Sequence, residues 1–207
     1  GRWSSEAGAS SAATCTACAE GTWSSRTGAN SSSACVPCKT GTWSPASAAT
    51  SATVCIDCPA GFWNDQAGSS ALEACTKCSP GTYSMATGAS EDSTCTPCAA
   101  GKYQPVSGAA NSALCISCAV GNFSATPGVS ACERCAAGSW GDAFGMTDCT
   151  PCPAGTWTRY DGSVRESQCV TWVKPPPQPA GEPPQGESGD EPAEGATQPG
   201  EPVPWEN

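Results

Sequence analysis

A chain of 207 residues in which Leu, Ile, Val, Met and Phe are scarce, with 14% charged residues and a net charge of −10, cannot bury one large apolar core. Its acidic balance excludes a nucleic-acid partner, which needs clustered Lys and Arg. Seventeen cysteines without a single histidine place the chain in an oxidising compartment, extracellular or at a cell surface, because reduced thiols at this density would have no catalytic use.

From Gly1 onward one unit repeats: glycine, any residue, an aromatic, usually Ser, a Gly/Ala turn, then C-x-x-C. Units open at Gly1, Gly21, Gly41, Gly61, Gly81, Gly101, Gly121, Gly138 and Gly155. Two residues on stand Trp3, Trp23, Trp43, Trp63, Tyr83, Tyr103, Phe123, Trp140 and Trp157. A second glycine column follows the first by seven residues, from Gly8 to Gly162, with Ala48 as its exception. The seventh and eighth copies shorten to 17 residues, and the three lost residues fall between this second glycine and the next cysteine, which marks that stretch as a surface loop. A fixed period predicts an elongated rod of nine turn-rich units over residues 1–172, each touching mainly its neighbours. Very short strands and little or no helix are expected.

Within a unit, Cys58-Pro59-Ala60-Gly61 and Cys152-Pro153-Ala154-Gly155 suit a turn with Pro in its second position and Gly in its fourth. The aromatic that follows is expected to lie over a disulfide as the largest apolar area of its unit. One bridge closing a loop of about 15 residues contributes roughly 3 kcal/mol. Ordering twenty backbones costs on the order of 20 to 40 kcal/mol, so the copies must stack to fold.

The cysteines pair either inside each C-x-x-C or across the aromatic loop, and the second is favoured, because bridging residues three apart strains the backbone. It yields Cys18–Cys35, Cys38–Cys55, Cys58–Cys75, Cys78–Cys95, Cys98–Cys115, Cys118–Cys132, Cys135–Cys149 and Cys152–Cys169. Cys15 is left for a partner upstream of Gly1 or on another chain, and the chain reads as a mature or truncated secreted segment. Four-cysteine zinc sites share the spacing, but would group the cysteines in fours and leave copies unmatched. No metal or other cofactor is expected. Where the second cysteine after Cys169 would stand there is Trp172, read as an aromatic cap over the last bridge. Sequons at Asn30 and Asn122 are candidate N-glycosylation sites.

The recurring C-x-x-C-x-x-G-x-aromatic-Ser, as in Cys38-Lys39-Thr40-Gly41-Thr42-Trp43-Ser44, resembles the ephrin-receptor-like cysteine-rich repeat and, more distantly, the first submodule of tumour-necrosis-factor-receptor cysteine-rich domains. The resemblance covers residues 1–172 and implies an extracellular or cell-surface stalk, in tandem runs such as those of secreted proteins of algae and other protists. In those families the cysteine before the Gly-x-aromatic turn bridges to the one after it. The additional interlocking cysteines of receptor submodules are missing, so a cytokine-receptor function does not transfer.

From Val173 the composition changes to ten prolines, seven acids, Lys174 as the single base and no cysteine. Residues 173–207 form an extended Pro-rich tail by this reading. No run approaches the roughly 20 apolar residues that cross a bilayer, so no membrane span is expected. Without histidine there is no Ser-His or Cys-His pair, and acids such as Asp57, Glu73 and Asp148 stand singly, so no enzyme is expected. Two functional classes remain. One is a structural subunit of an extracellular filament or appendage, a head-to-tail homo-oligomer whose tail docks on a neighbouring copy through Trp205. The other is a ligand-binding or adhesive stalk of a receptor-like protein.

Overall fold

The computed structural model describes residues 1–8 and 11–171, and the chain divides into Gly1–Trp172 and Val173–Asn207. The expectations for the tail, for Trp205 and for Trp172 as a cap lie outside the described residues.

Nine two-stranded antiparallel hairpins, one per unit, are found among the described residues. In each, the aromatic and the residue before it pair with the two residues inside the following C-x-x-C: Trp23 faces Val36 and Thr22 faces Pro37. The strands are two residues long except in the last unit, where Thr156–Thr158 pairs with Cys169–Thr171. No α-helix forms among the described residues. Gly, Pro, Ser and Ala dominate the connecting segments and leave no continuous apolar face on which a helix could pack.

The turn entering each hairpin sits one residue later than the sequence suggested. Phe62 N–H donates to the Pro59 carbonyl at 3.1 Å, so Pro59 takes the first position and Gly61, at φ +84°, the third. A positive φ in the third position is the requirement that only glycine meets without strain, and it overrides the preference of proline for the second. Thr42 and Thr82 lock the same turn by donating a hydroxyl to the carbonyl three residues back at 2.7 Å.

The stretch expected to be a surface loop is in the full-length copies a single 3-10 turn, for example Ser32–Ala34 or Ala52–Val54. Ser31, Ser51 and Asn111 start such turns by accepting a backbone N–H two residues on. Between Gly128 and Cys132, and between Gly145 and Cys149, no such turn forms. Three residues make one 3-10 turn, so the short copies have lost a whole structural element. Their disulfides still span Cα distances of 5.7 and 5.6 Å, within the 5.5 to 5.8 Å of the others.

Units join through backbone atoms. At the joint between the units of Gly21 and Gly41, Gly21 N–H donates to Ser44 O at 2.8 Å and Ser24 N–H to Ala49 O at 2.9 Å. Ala48 N–H returns a bond to Cys18 O at 2.8 Å. The trio recurs at successive joints, as with Gly61 to Ser84, Asn64 to Ala89 and Gly88 to Cys58. The expectation that each unit touches mainly its neighbours is incomplete, because the opening glycine also meets the unit after next. A Cβ added at Gly21 would lie 2.0 Å from the carbonyl oxygen of Gly68, and one at Gly81 2.0 Å from that of Gly128. From Gly21 to Gly121 the first glycine column is therefore fixed twice, by a positive φ and by a main-chain contact two units away.

The core also departs from expectation. Cysteines and small residues are buried, among them Cys18, Cys38, Cys58, Cys78, Cys98, Ala49, Ala89 and Ala109. The aromatics from Trp3 to Trp140 are half-buried, and Trp157 is 52% exposed. Paired two-residue strands are too narrow to enclose an indole, so the sulfur atoms fill the centre and each ring lies along its rim.

Two glycines of like backbone but different surroundings separate strain from contact. Gly28, at φ +65°, has nothing among the described residues within 4 Å of an added Cβ, and Gly28→Ala is expected to cost only the backbone term of about 1 to 2 kcal/mol. Gly81→Ala, at φ +87°, should cost a further ~1 to 3 kcal/mol, because its methyl drives two units apart. Denaturant unfolding of the two oxidised variants measures the difference, and equal losses would remove the contact two units away as a source of stability.

Candidate functional site

Eight disulfides join Cys18 to Cys35, Cys38 to Cys55, Cys58 to Cys75, Cys78 to Cys95, Cys98 to Cys115, Cys118 to Cys132, Cys135 to Cys149 and Cys152 to Cys169. Each closes the loop that carries its unit's aromatic and positive-φ turn, and so holds the two hairpin strands in register. Cys15, half-buried, is the free cysteine of the described residues.

Beside the cysteines, a second buried column is one to which sequence reasoning gave no role, the residue after the aromatic. Ser44 and Thr158 are fully buried, and Ser24, Asn64, Ser84, Gln104 and Ser124 nearly so. Gly141, also buried, replaces them in the eighth unit. Ser44 O accepts from Gly21 of the unit before and Ser44 N–H donates to Ser69 O of the unit after, so one residue links three units. Its hydroxyl turns inward and accepts from Ala46 N–H at 3.3 Å. Asn64 carries the same role further, with Nδ2 donating to Thr42 O and Ser69 Oγ and Oδ1 accepting from Gln66 N–H. The signal was present in the near-constant Ser of the repeat, because a small hydroxyl residue satisfies its own backbone where no water reaches.

The aromatic column is not a uniform display of free rings. Nε1 of Trp43 and of Trp140 is buried without a hydrogen-bond acceptor among the described residues. In these two copies the polar edge of the indole is enclosed by protein, not available to a ligand. The acids Asp57, Glu73, Glu91, Asp92 and Asp148 are all exposed. Asn30 is exposed, whereas Asn122 is half-buried in a strand with Nδ2 donating to Val120 O at 3.1 Å. No helix among the described residues is long and apolar enough to cross a membrane.

These features define a class: an elongated array of small disulfide-clamped repeats whose joints are made by the main chain. Residues 28–75 and 121–169 match the family described as tyrosine-protein kinase ephrin type A/B receptor-like, and these stretches are ephrin-receptor-like cysteine-rich repeats. The units between them share the same columns and joints. Such repeats are a non-catalytic extracellular module type, with receptor-like or structural roles. No curated protein matches the chain.

Burial along the ladder sets the order in which its bridges open. The cysteine that begins each bridge is fully buried from Cys18 to Cys135, but Cys152 is only half-buried. Limiting reductant followed by alkylation should label Cys152 and Cys169 before any other bridged pair, as read by mass spectrometry. Labelling spread evenly over the eight bridges would show that stacking does not shield them.

Proposed function

We propose that this protein is a structural subunit of an extracellular filament or cell-surface appendage, assembled by stacking of repeats and by docking of the C-terminal tail on a neighbouring subunit. The observation that carries the reading is the joint itself. Each unit gives its main-chain donors and acceptors to the next and its glycine face to the one after, as at Gly21, Ser44 and Gly68. Conserving backbone complementarity from joint to joint serves length and stiffness, while side chains on the rim remain free to vary.

The tail supports the same reading through its sequence. A proline run at Pro175-Pro176-Pro177 loses little entropy on docking, and Trp205 offers a large apolar anchor. A head-to-tail contact of this kind propagates without closing. Cys15 is bonded in this scheme to a cysteine outside residues 1–207 or on another chain, because its counterparts from Cys35 to Cys169 are all bridged. Glycan attaches at Asn30, which is exposed, and at Asn122 only if modification precedes closure of the hairpin that engages its amide.

Electron microscopy of material isolated without overexpression should show polymers, and deletion of residues 175–207 should abolish them. Monodisperse rods in the native material would favour the adhesive stalk. Polymers that form normally from the truncated chain would remove the tail from the assembly.

A further inference from the structure

The opening glycines from Gly1 to Gly121 share one environment. A methyl on any of them would collide with the main chain of the turn two units ahead, the nearest carbonyl oxygen lying 2.0 to 2.4 Å away. The last two members of the column have no such turn in front of them. At Gly138 the ring of Trp157 fills the place, its atoms 2.6 to 2.8 Å from an added Cβ. At Gly155, with the φ of +81° usual for the column, nothing among the described residues lies within 4 Å. An open cavity of about 700 Å³ surrounds it, lined by Gly138, Pro151, Pro153, Thr156 and Trp157 among others.

The polar half of the joint is equally incomplete. Gly121 N–H donates to Gly141 O, and Cys135 O accepts from Gly162 N–H. Their counterparts, Gly155 N–H and Cys152 O, have no hydrogen-bond partner among the described residues. Shape and polarity together ask for a turn with a glycine at positive φ, whose N–H goes to Cys152 O and which is preceded, four residues earlier, by a carbonyl for Gly155 N–H, as Gly145 and Gly141 supply to Cys118 and Gly121.

We infer that this face, centred on Gly155, receives the glycine turn of a repeat unit from a second copy of the chain, so that the internal joint continues between molecules. The inference rests on the filament reading and names its contact. The chain itself carries suitable turns at Gly8 and Gly28, with φ of +76° and +65° and nothing within 4 Å of an added Cβ among the described residues. The Pro-rich segment 173–207 fits less well, since its ten prolines have no N–H to offer Cys152.

A photo-reactive benzoylphenylalanine replacing Trp157 in the full chain, irradiated in a mixture of isotope-labelled and unlabelled protein, tests the contact directly. Cross-links from one copy into residues 1–35 of another are expected. Gly155→Ala, with its eight disulfides verified by mapping, should self-associate at least about tenfold more weakly than wild type in sedimentation. Ala48 already holds φ 54° in this fold, so one methyl at positive φ does not forbid folding. Cross-links confined to residues 173–207, or none between copies, would overturn the inference, as would undiminished association of Gly155→Ala. Polymers that persist in that variant would leave the filament standing with a different contact, whereas a wild-type chain that never polymerises would remove both.

Discussion

Everything in this array depends on how closely two stretches of main chain can approach. A turn carbonyl rests against the α-carbon of a glycine two units back, at a separation that no Cβ could share. Once that approach is allowed, the hydrogen bonds between adjacent units fall into line, and the residue after the aromatic is sealed between three copies. The disulfides do not make the joints. They hold each loop in the shape that the joints require, in a chain with too few large apolar side chains to do so by packing.

The division of labour explains where variation is tolerated. Along the aromatic column tryptophan, tyrosine and phenylalanine interchange, because the rings lie on the rim and are only partly covered. A whole 3-10 turn can be missing, as after Gly128 and Gly145, because the element lies outside the joints and its removal leaves the bridge span unchanged. Ala48 in the second glycine column shows that even a positive φ can be held by a non-glycine where its surroundings leave room. Units of different length therefore stack on the same backbone contacts.

Much of this was legible from spacing alone, since the unit boundaries, the short strands and the period all follow from residue columns. The parts that were not legible share a cause. The sequence shows that glycine recurs at Gly21 and Gly68 but not that these two meet, because a contact 47 residues apart leaves no local pattern. The aromatic suggested a core by size, yet a two-residue hairpin has no interior for it, and burial went instead to sulfur and alanine. The turn at Pro59 was misplaced by one position because proline and glycine vote for different registers, and φ at Gly61 decided. The column of Ser44 and Asn64 was given no role, since residue type does not reveal a polar group that has turned inward to serve its own backbone.

At the final joint the pattern changes hands. Gly138 N–H donates not to a main-chain carbonyl but to Thr158 Oγ1, at 2.7 Å, and the same hydroxyl donates onward to Ser139 O. Interior joints are written in atoms that every amino acid carries, so duplicating any interior copy of the gene segment reproduces a working joint. The ninth copy is the exception, for one of the three bonds of its joint is made by a particular side chain, while Gly141 to Ser163 and Gly162 to Cys135 keep the main-chain pattern. Lineages can therefore lengthen or shorten the array from within by unequal crossing-over while the terminal copy stays the terminal copy.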